Sequence, residues 1–178
     1  MATFVNYYPC SYGDSLINMF LGKNNTRQNN LITASNPQFK LLPFYNLKKN
    51  EQEKILKNIE NKIYACHRQN QFDFGSSHKV VSIQLDKIDF LPERFKQIHL
   101  NQFGGDICNP ILKQLVSKLP LEEIIKLDYQ TWSKKNILSS DILLPISMLW
   151  NKEMLKNFCD KFNFVFDPMQ VEIGRAHV

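Results

Sequence analysis

The sequence predicts an α/β fold in which a mainly parallel sheet is flanked by helices, and three observations carry that expectation. Strand-like and helix-like stretches alternate along the chain, the pattern of a parallel sheet covered on both faces. The segment "KVVSIQL" (79–85) is the clearest buried strand. Near the start, "TFVNYYPCSYGDSLINMF" (3–20) runs from an aromatic and β-branched strand through a glycine-containing turn into an apolar helix. At 178 residues, 43% hydrophobic and 12% aromatic, the chain has the size and core material of one domain.

The elements follow in order. Residues 3–9 read as a strand and "DSLINMFLG" (14–22) as a helix closed by Gly22. Residues 23–46 are Asn-rich with two prolines and read as a long excursion or lid with little regular structure. "KNEQEKILKNIENK" (49–62) is helical, with Ile55, Leu56 and Ile59 on one face, and leads into a short strand, "KIYACHR" (62–68). The loop "QNQFDFGSSH" (69–78), whose glycine is too isolated for a nucleotide fingerprint, precedes "KVVSIQL". Three helical stretches follow: one after Pro92, "NPILKQLVSKL" (109–119) and "PLEEIIKLDYQTWSKK" (120–135), the last two with proline near their first position. "SDILLPISMLW" (140–150) reads as a short strand and turn, and "NKEMLKNFCDKF" (151–162) as an amphipathic helix whose stripe Leu149, Met154, Leu155, Phe158, Phe162 packs in the core.

The natural sequence is expected to stop at about Glu172, leaving a single domain over 1–172 that lacks its true C-terminus. The last residues, 173–178, Ile-Gly-Arg-Ala-His-Val, are what a short sequencing adapter gives in one reading frame, so they read as a read-through scar.

Composition narrows the function. No apolar run approaches the roughly 18 residues that cross a bilayer, and the N-terminus lacks signal-peptide organisation, so the expectation is a cytoplasmic protein without a membrane partner. Cys10, Cys66, Cys108 and Cys159 are far apart and form no Cys-x-x-Cys pair, which indicates neither a zinc site nor a disulfide framework and leads us to expect no metal. The net charge of +5 is spread over several segments, the distribution of a solvated surface and not of a specific nucleic-acid interface.

In an open parallel sheet, ligands bind beyond the C-terminal ends of the strands. That rule collects "YPCSYGDS", "CHRQ" and the "LDK" after "VVSIQ" along one edge, and with them Ser11, Tyr12, Gly13, Asp14, Ser15, His67, Arg68, Asp86 and Lys87. Hydroxyls, a glycine turn, an imidazole and cations suit phosphate or sulfate, and a helix N-terminus beyond the first strand would add unpaired N–H donors. The plainer alternative is a tight turn with Asp14 or Ser15 as helix N-cap, His67 structural, and Cys10 and Cys66 small buried hydrophobes.

"YYPCSYGDSLI" resembles the strand–loop–helix of the P-loop sulfotransferases, whose usual form is Tyr-Pro-Lys-Ser-Gly-Thr-Thr before an apolar helix. "IYACHR" resembles their second strand, which ends in Thr-His, and "DILLPISMLWNKEMLKNFCDKFNFVFD" their late strand and helix. The resemblance implies a three-layer P-loop-like fold and transfer of a sulfuryl group from 3′-phosphoadenosine 5′-phosphosulfate to the hydroxyl of a small molecule or glycan. It implies that Ser11, Gly13, Asp14 and Ser15 wrap the phosphosulfate and that His67 is the general base. The sequence also departs from the pattern: Cys10 replaces the loop lysine, Tyr12 is inserted, and Asp14 stands in a hydroxyl position. Leu85 and Glu93 stand where the family has the Arg and Ser of its 3′-phosphate site, leaving Lys87 or Arg94 to substitute. Two alternatives stay open: a non-catalytic nucleotide- or anion-binding protein on the same fold, and a nucleoside or nucleotide kinase, although G-x-x-x-x-G-K-[ST] is absent.

Overall fold

Alternation of side chains along the strands is what builds this sheet. The structure, a computed structural model, describes residues 1–8, 42–59, 63–66, 68, 71–87, 118–164 and 166. Within them β1 (Thr3–Asn6), β2 (Ile63–Cys66), β3 (Lys79–Gln84) and β4 (Ile142–Pro145) form one sheet in the order β2-β1-β3-β4. Every pairing is parallel, with Asn6 opposite Cys66 on one side and Ser82 on the other.

Because successive strand residues point to opposite faces, one strand supplies two cores. Phe4, Tyr64 and Val80 join Phe44, Phe74 and Cys66 in one apolar cluster, while Val5, Val81, Ile83 and Leu144 join Ile125, Trp132, Leu155 and Phe158 in another. The first cluster is mainly aromatic: Phe4 stacks on Phe74 with ring centroids 4.1 Å apart, and Phe44 meets Phe72 edge-on at 5.4 Å. Each cluster also takes residues from helical segments, Phe44 in the first and Ile125, Leu155 and Phe158 in the second.

The helices carry their own local reasons. In α1 (Leu42–Tyr45) and α2 (Lys49–Asn58) the chain turns back toward the first cluster, to which Phe44, Ile55, Leu56 and Ile59 contribute. The backbone N–H of Lys48 donates to Glu51 Oε2 at 3.0 Å, satisfying an N-terminal donor that the helix itself leaves free. The expectation of little regular structure over 23–46 is corrected at its end, where Leu42–Tyr45 is helical; the anchoring force is burial of Phe44, which no propensity scale registers. Residues 23–41 of that excursion, the helix at 14–22, the helix after Pro92, and 109–117 lie outside the described residues.

Helix α3 (Leu121–Asn136) has Glu122 and Glu123 in its first turn and Lys134 and Lys135 in its last, the arrangement that complements the helix dipole. A 3-10 turn (Ile146–Trp150) leads from β4 into α4 (Lys152–Phe162). Asn151 Oδ1 caps α4 by accepting from Met154 N at 3.0 Å, and Asn163 ends it in the left-handed region at φ 59°. The predicted stripe needs one correction. Met154 is 48% exposed, and the buried positions of α4 are Leu155, Phe158 and Cys159, with Phe162 packed behind them. Met154 lies one residue, about 100° of helical turn, away from Leu155 and outside that narrower face.

The loop predicted over 69–78 holds one residue whose identity the backbone dictates. Gly75 has φ +82°, and its N–H donates to Asp73 Oδ1 at 2.8 Å in a side-chain-closed turn. No described helix is long and apolar enough to cross a membrane.

Candidate functional site

The strand order reverses at β1. The chain moves from β1 outward to β2, then crosses back over β1 to β3 and on to β4. In doubly wound sheets the crevice beyond the C-terminal ends of the two strands flanking such a reversal is where ligands bind. Here those strands are β1 and β3, and four stretches of chain end or leave around them: Tyr7–Tyr8 after β1, Cys66 and Arg68 at the end of β2, Leu85–Lys87 after β3, and Ile146–Ser147 after β4.

Two groups of polar side chains are built at this edge. The inner one centres on Arg68, which is 2% exposed. Its Nη1 donates to both carboxylate oxygens of Asp141 at 2.9 and 2.7 Å and to the carbonyl of Asn136 at 3.3 Å, while its backbone N–H donates to Asn6 Oδ1 at 3.0 Å. Asn6 Nδ2 in turn donates to Ser82 Oγ and to Asn136 O, both at 2.9 Å. Ser82 Oγ donates to Asp141 Oδ2 at 2.6 Å, and Leu138 N to the same oxygen at 3.1 Å. A charged pair this deep costs several kcal/mol of lost hydration, and the network of neutral donors around Asp141 offsets that cost.

The outer group holds the stretches that leave the strands. Tyr8, 1% exposed, donates its hydroxyl proton to Asp128 Oδ2 at 2.7 Å, and Asp128 is fully buried on α3. Tyr129 Oη accepts from Leu85 N at 2.9 Å, and burial together with Asp86 pushes the Tyr129 hydroxyl above its ordinary pKa. Trp132 stacks on Tyr129 at 5.9 Å, and Tyr8 meets both rings edge-on at 5.5 and 5.6 Å. Asp86 accepts from Ser147 N at 3.0 Å and from Ser147 Oγ, joining the ends of β3 and β4.

Cys66, the last residue of β2, is fully buried, and Tyr45 Oη lies 3.2 Å from its Sγ. Burial pushes its thiol up to about 12, so at neutral pH it is a protonated, unreactive group, as the plainer reading of the sequence expects. Burial likewise pushes the Cys159 thiol up to about 11. Among the described residues no three His, Cys, Asp or Glu side chains gather as a metal site.

Of the residues singled out from sequence, Ser11, Tyr12, Gly13, Asp14, Ser15, His67 and Arg94 lie outside the described residues. Arg68 is described, and its guanidinium turns inward to Asp141 instead of lying open at the edge. Lys87 is exposed on the stretch after β3. Sequence reasoning missed Asn6, Tyr8, Ser82, Asp128 and Asp141. A polar Asn or Ser inside an otherwise apolar strand, and an Asp on the apolar side of a helix, were the available signals, since such residues are retained in a core only when paired. Compared with protein-family models, curated proteins and solved structures, the chain matches none of them.

Proposed function

We propose that the chain binds the phosphosulfate end of 3′-phosphoadenosine 5′-phosphosulfate at the edge beyond β1 and transfers its sulfuryl group to a hydroxyl acceptor, within one three-layer P-loop-like domain of the cytoplasm. One observation carries the reading. The order β2-β1-β3-β4 reverses at β1, so the segment with Ser11, Gly13, Asp14 and Ser15 follows the strand at the reversal, and His67 follows Cys66, whose register partner is Asn6 of β1. On this reading the anion-binding loop and the base follow neighbouring strands in the sequence. In this mechanism the acceptor oxygen attacks sulfur in line and His67 takes its proton. The sulfur–oxygen bond to the nucleotide phosphate breaks, and adenosine 3′,5′-bisphosphate leaves with the electron pair. Lys87 and Arg94 are the candidate cations for the nucleotide; Arg68, paired with Asp141, is not counted among them.

A second reading, a nucleotide or anion binder without transfer chemistry, is favoured by Cys10 in the place of the loop lysine and by the inward commitment of Arg68. Thermal shift with adenosine 3′,5′-bisphosphate, ATP and GTP tests binding, since ligand at 100 times its dissociation constant adds roughly 2.7 kcal/mol of stability. Sulfuryl transfer that falls roughly 100-fold in His67→Gln with unchanged bisphosphate affinity supports the enzyme. Binding without any turnover leaves the binder, preferential stabilisation by ATP or GTP turns the reading to a kinase, and no binding at millimolar nucleotide removes every nucleotide reading.

A further inference from the structure

Two consecutive residues of α3 hold both stretches that leave the strands flanking the reversal. Asp128 takes the hydroxyl of Tyr8, two residues past the end of β1, and Tyr129 takes the backbone N–H of Leu85, the first residue past β3. Trp132, one turn further along, closes the aromatic wall against both tyrosines. An apolar contact would bury Tyr8 as well without enclosing a carboxylate. A hydrogen bond adds direction, and a charge-assisted one adds strength, so these two bonds fix where each exit begins.

We infer that Asp128 and Tyr129 are positioning residues that set the spacing of the β1 and β3 exits, and through it the affinity of the edge for its anion, without touching the ligand. The positioning claim stands on the hydrogen bonds, and its link to affinity rests on the nucleotide reading proposed above.

The test is hydrogen–deuterium exchange on the full chain for wild type, Asp128→Asn, Tyr129→Phe and Phe44→Leu, the last weakening the other apolar cluster as a control. Tyr129→Phe is expected to speed exchange at Leu85, and Asp128→Asn and Tyr8→Phe at Tyr7, whose N–H donates to Cys66 O, each roughly tenfold, whereas Phe44→Leu alters these amides no more than its melting temperature accounts for. Unchanged exchange in the first two variants, or the same local rise in Phe44→Leu, overturns the inference. Asp128→Asn keeps an amide oxygen that can still accept from Tyr8, so Tyr8→Phe, which removes the hydrogen bond outright and keeps the ring, is the deciding variant at this exit, and unchanged exchange in it overturns the inference. Calorimetric titration with adenosine 3′,5′-bisphosphate then separates the claims. Weaker binding by Asp128→Asn than by Phe44→Leu supports the link to affinity, and equal binding by Asp128→Asn and wild type overturns it. No binding by wild type, with the exchange pattern intact, removes the nucleotide reading and leaves the positioning role standing.

Discussion

The two polar groups at the sheet edge use the same chemistry to different ends. Around Asp141 the donors come from β2's end, β3, and the turn before β4, and they close on one another inside the protein. Around Asp128 and Tyr129 the partners are the exits of β1 and β3, from which chain continues to the candidate binding segments. The first group is a lock on the fold and the second a mount for what the fold carries. A buried carboxylate by itself therefore does not mark function; what its partners are attached to does.

The comparison breaks most directly at Asp141. Asp141→Ala leaves Arg68 charged and buried without its partner, and urea denaturation should report a loss of about 3–5 kcal/mol. A double replacement, Arg68→Met with Asp141→Leu, should recover most of that loss, since an apolar pair of similar size carries no hydration penalty. A double variant as unstable as Asp141→Ala would mean that the neutral partners Asn6 and Ser82 hold the region more strongly than the ion pair. Next in size, Tyr8→Phe should cost about 1.5–3 kcal/mol by taking a hydrogen bond from a carboxylate, with the loss concentrated in exchange at the β1 exit.

Alkaline pH sharpens the comparison from the other face. The Cys66 thiol keeps its proton in the folded chain up to about 12 but loses it from about 9.0 when unfolded. Unfolding is thus favoured increasingly as pH rises between those values: the thiol's contribution is complete below pH 9 and disappears toward pH 12. Melting temperature followed from pH 8 to 11 should fall less steeply in Cys66→Ala than in wild type. The smallest effect belongs to Lys156→Ala: its bond to Asp160 at 2.7 Å lies on the open surface, and the melting temperature should be unchanged.

How much of this the sequence discloses follows from range. The strands of β1, β2, β3 and β4, and helices α2, α3 and α4, are written in local periodicity and are read within a few residues. Phe44 turns a stretch expected to be irregular into α1 because its ring is buried against Phe72 and Phe74, contacts that no window of local sequence contains. Arg68 is the sharpest case for the site. Its position after β2 suggests a cation at the edge, but its direction is decided by Asp141, 73 residues away. Asp128 and Tyr8 are separated by 120 residues, so the clasp between them exists only once the fold does.

The strand register has a further consequence for the shape of that edge. β1 and β2 stop level with each other, Asn6 against Cys66, whereas β3 and β4 pair onward to Gln84 against Pro145, two residues above the level of Asn6 and Ser82. At about 3.3 Å per residue, the floor on which the first two exits begin lies roughly 7 Å beneath the storey from which Leu85, Asp86 and Lys87 depart. β3 and β4 therefore stand above β1 and β2 at this edge as a step in the sheet, two residues high.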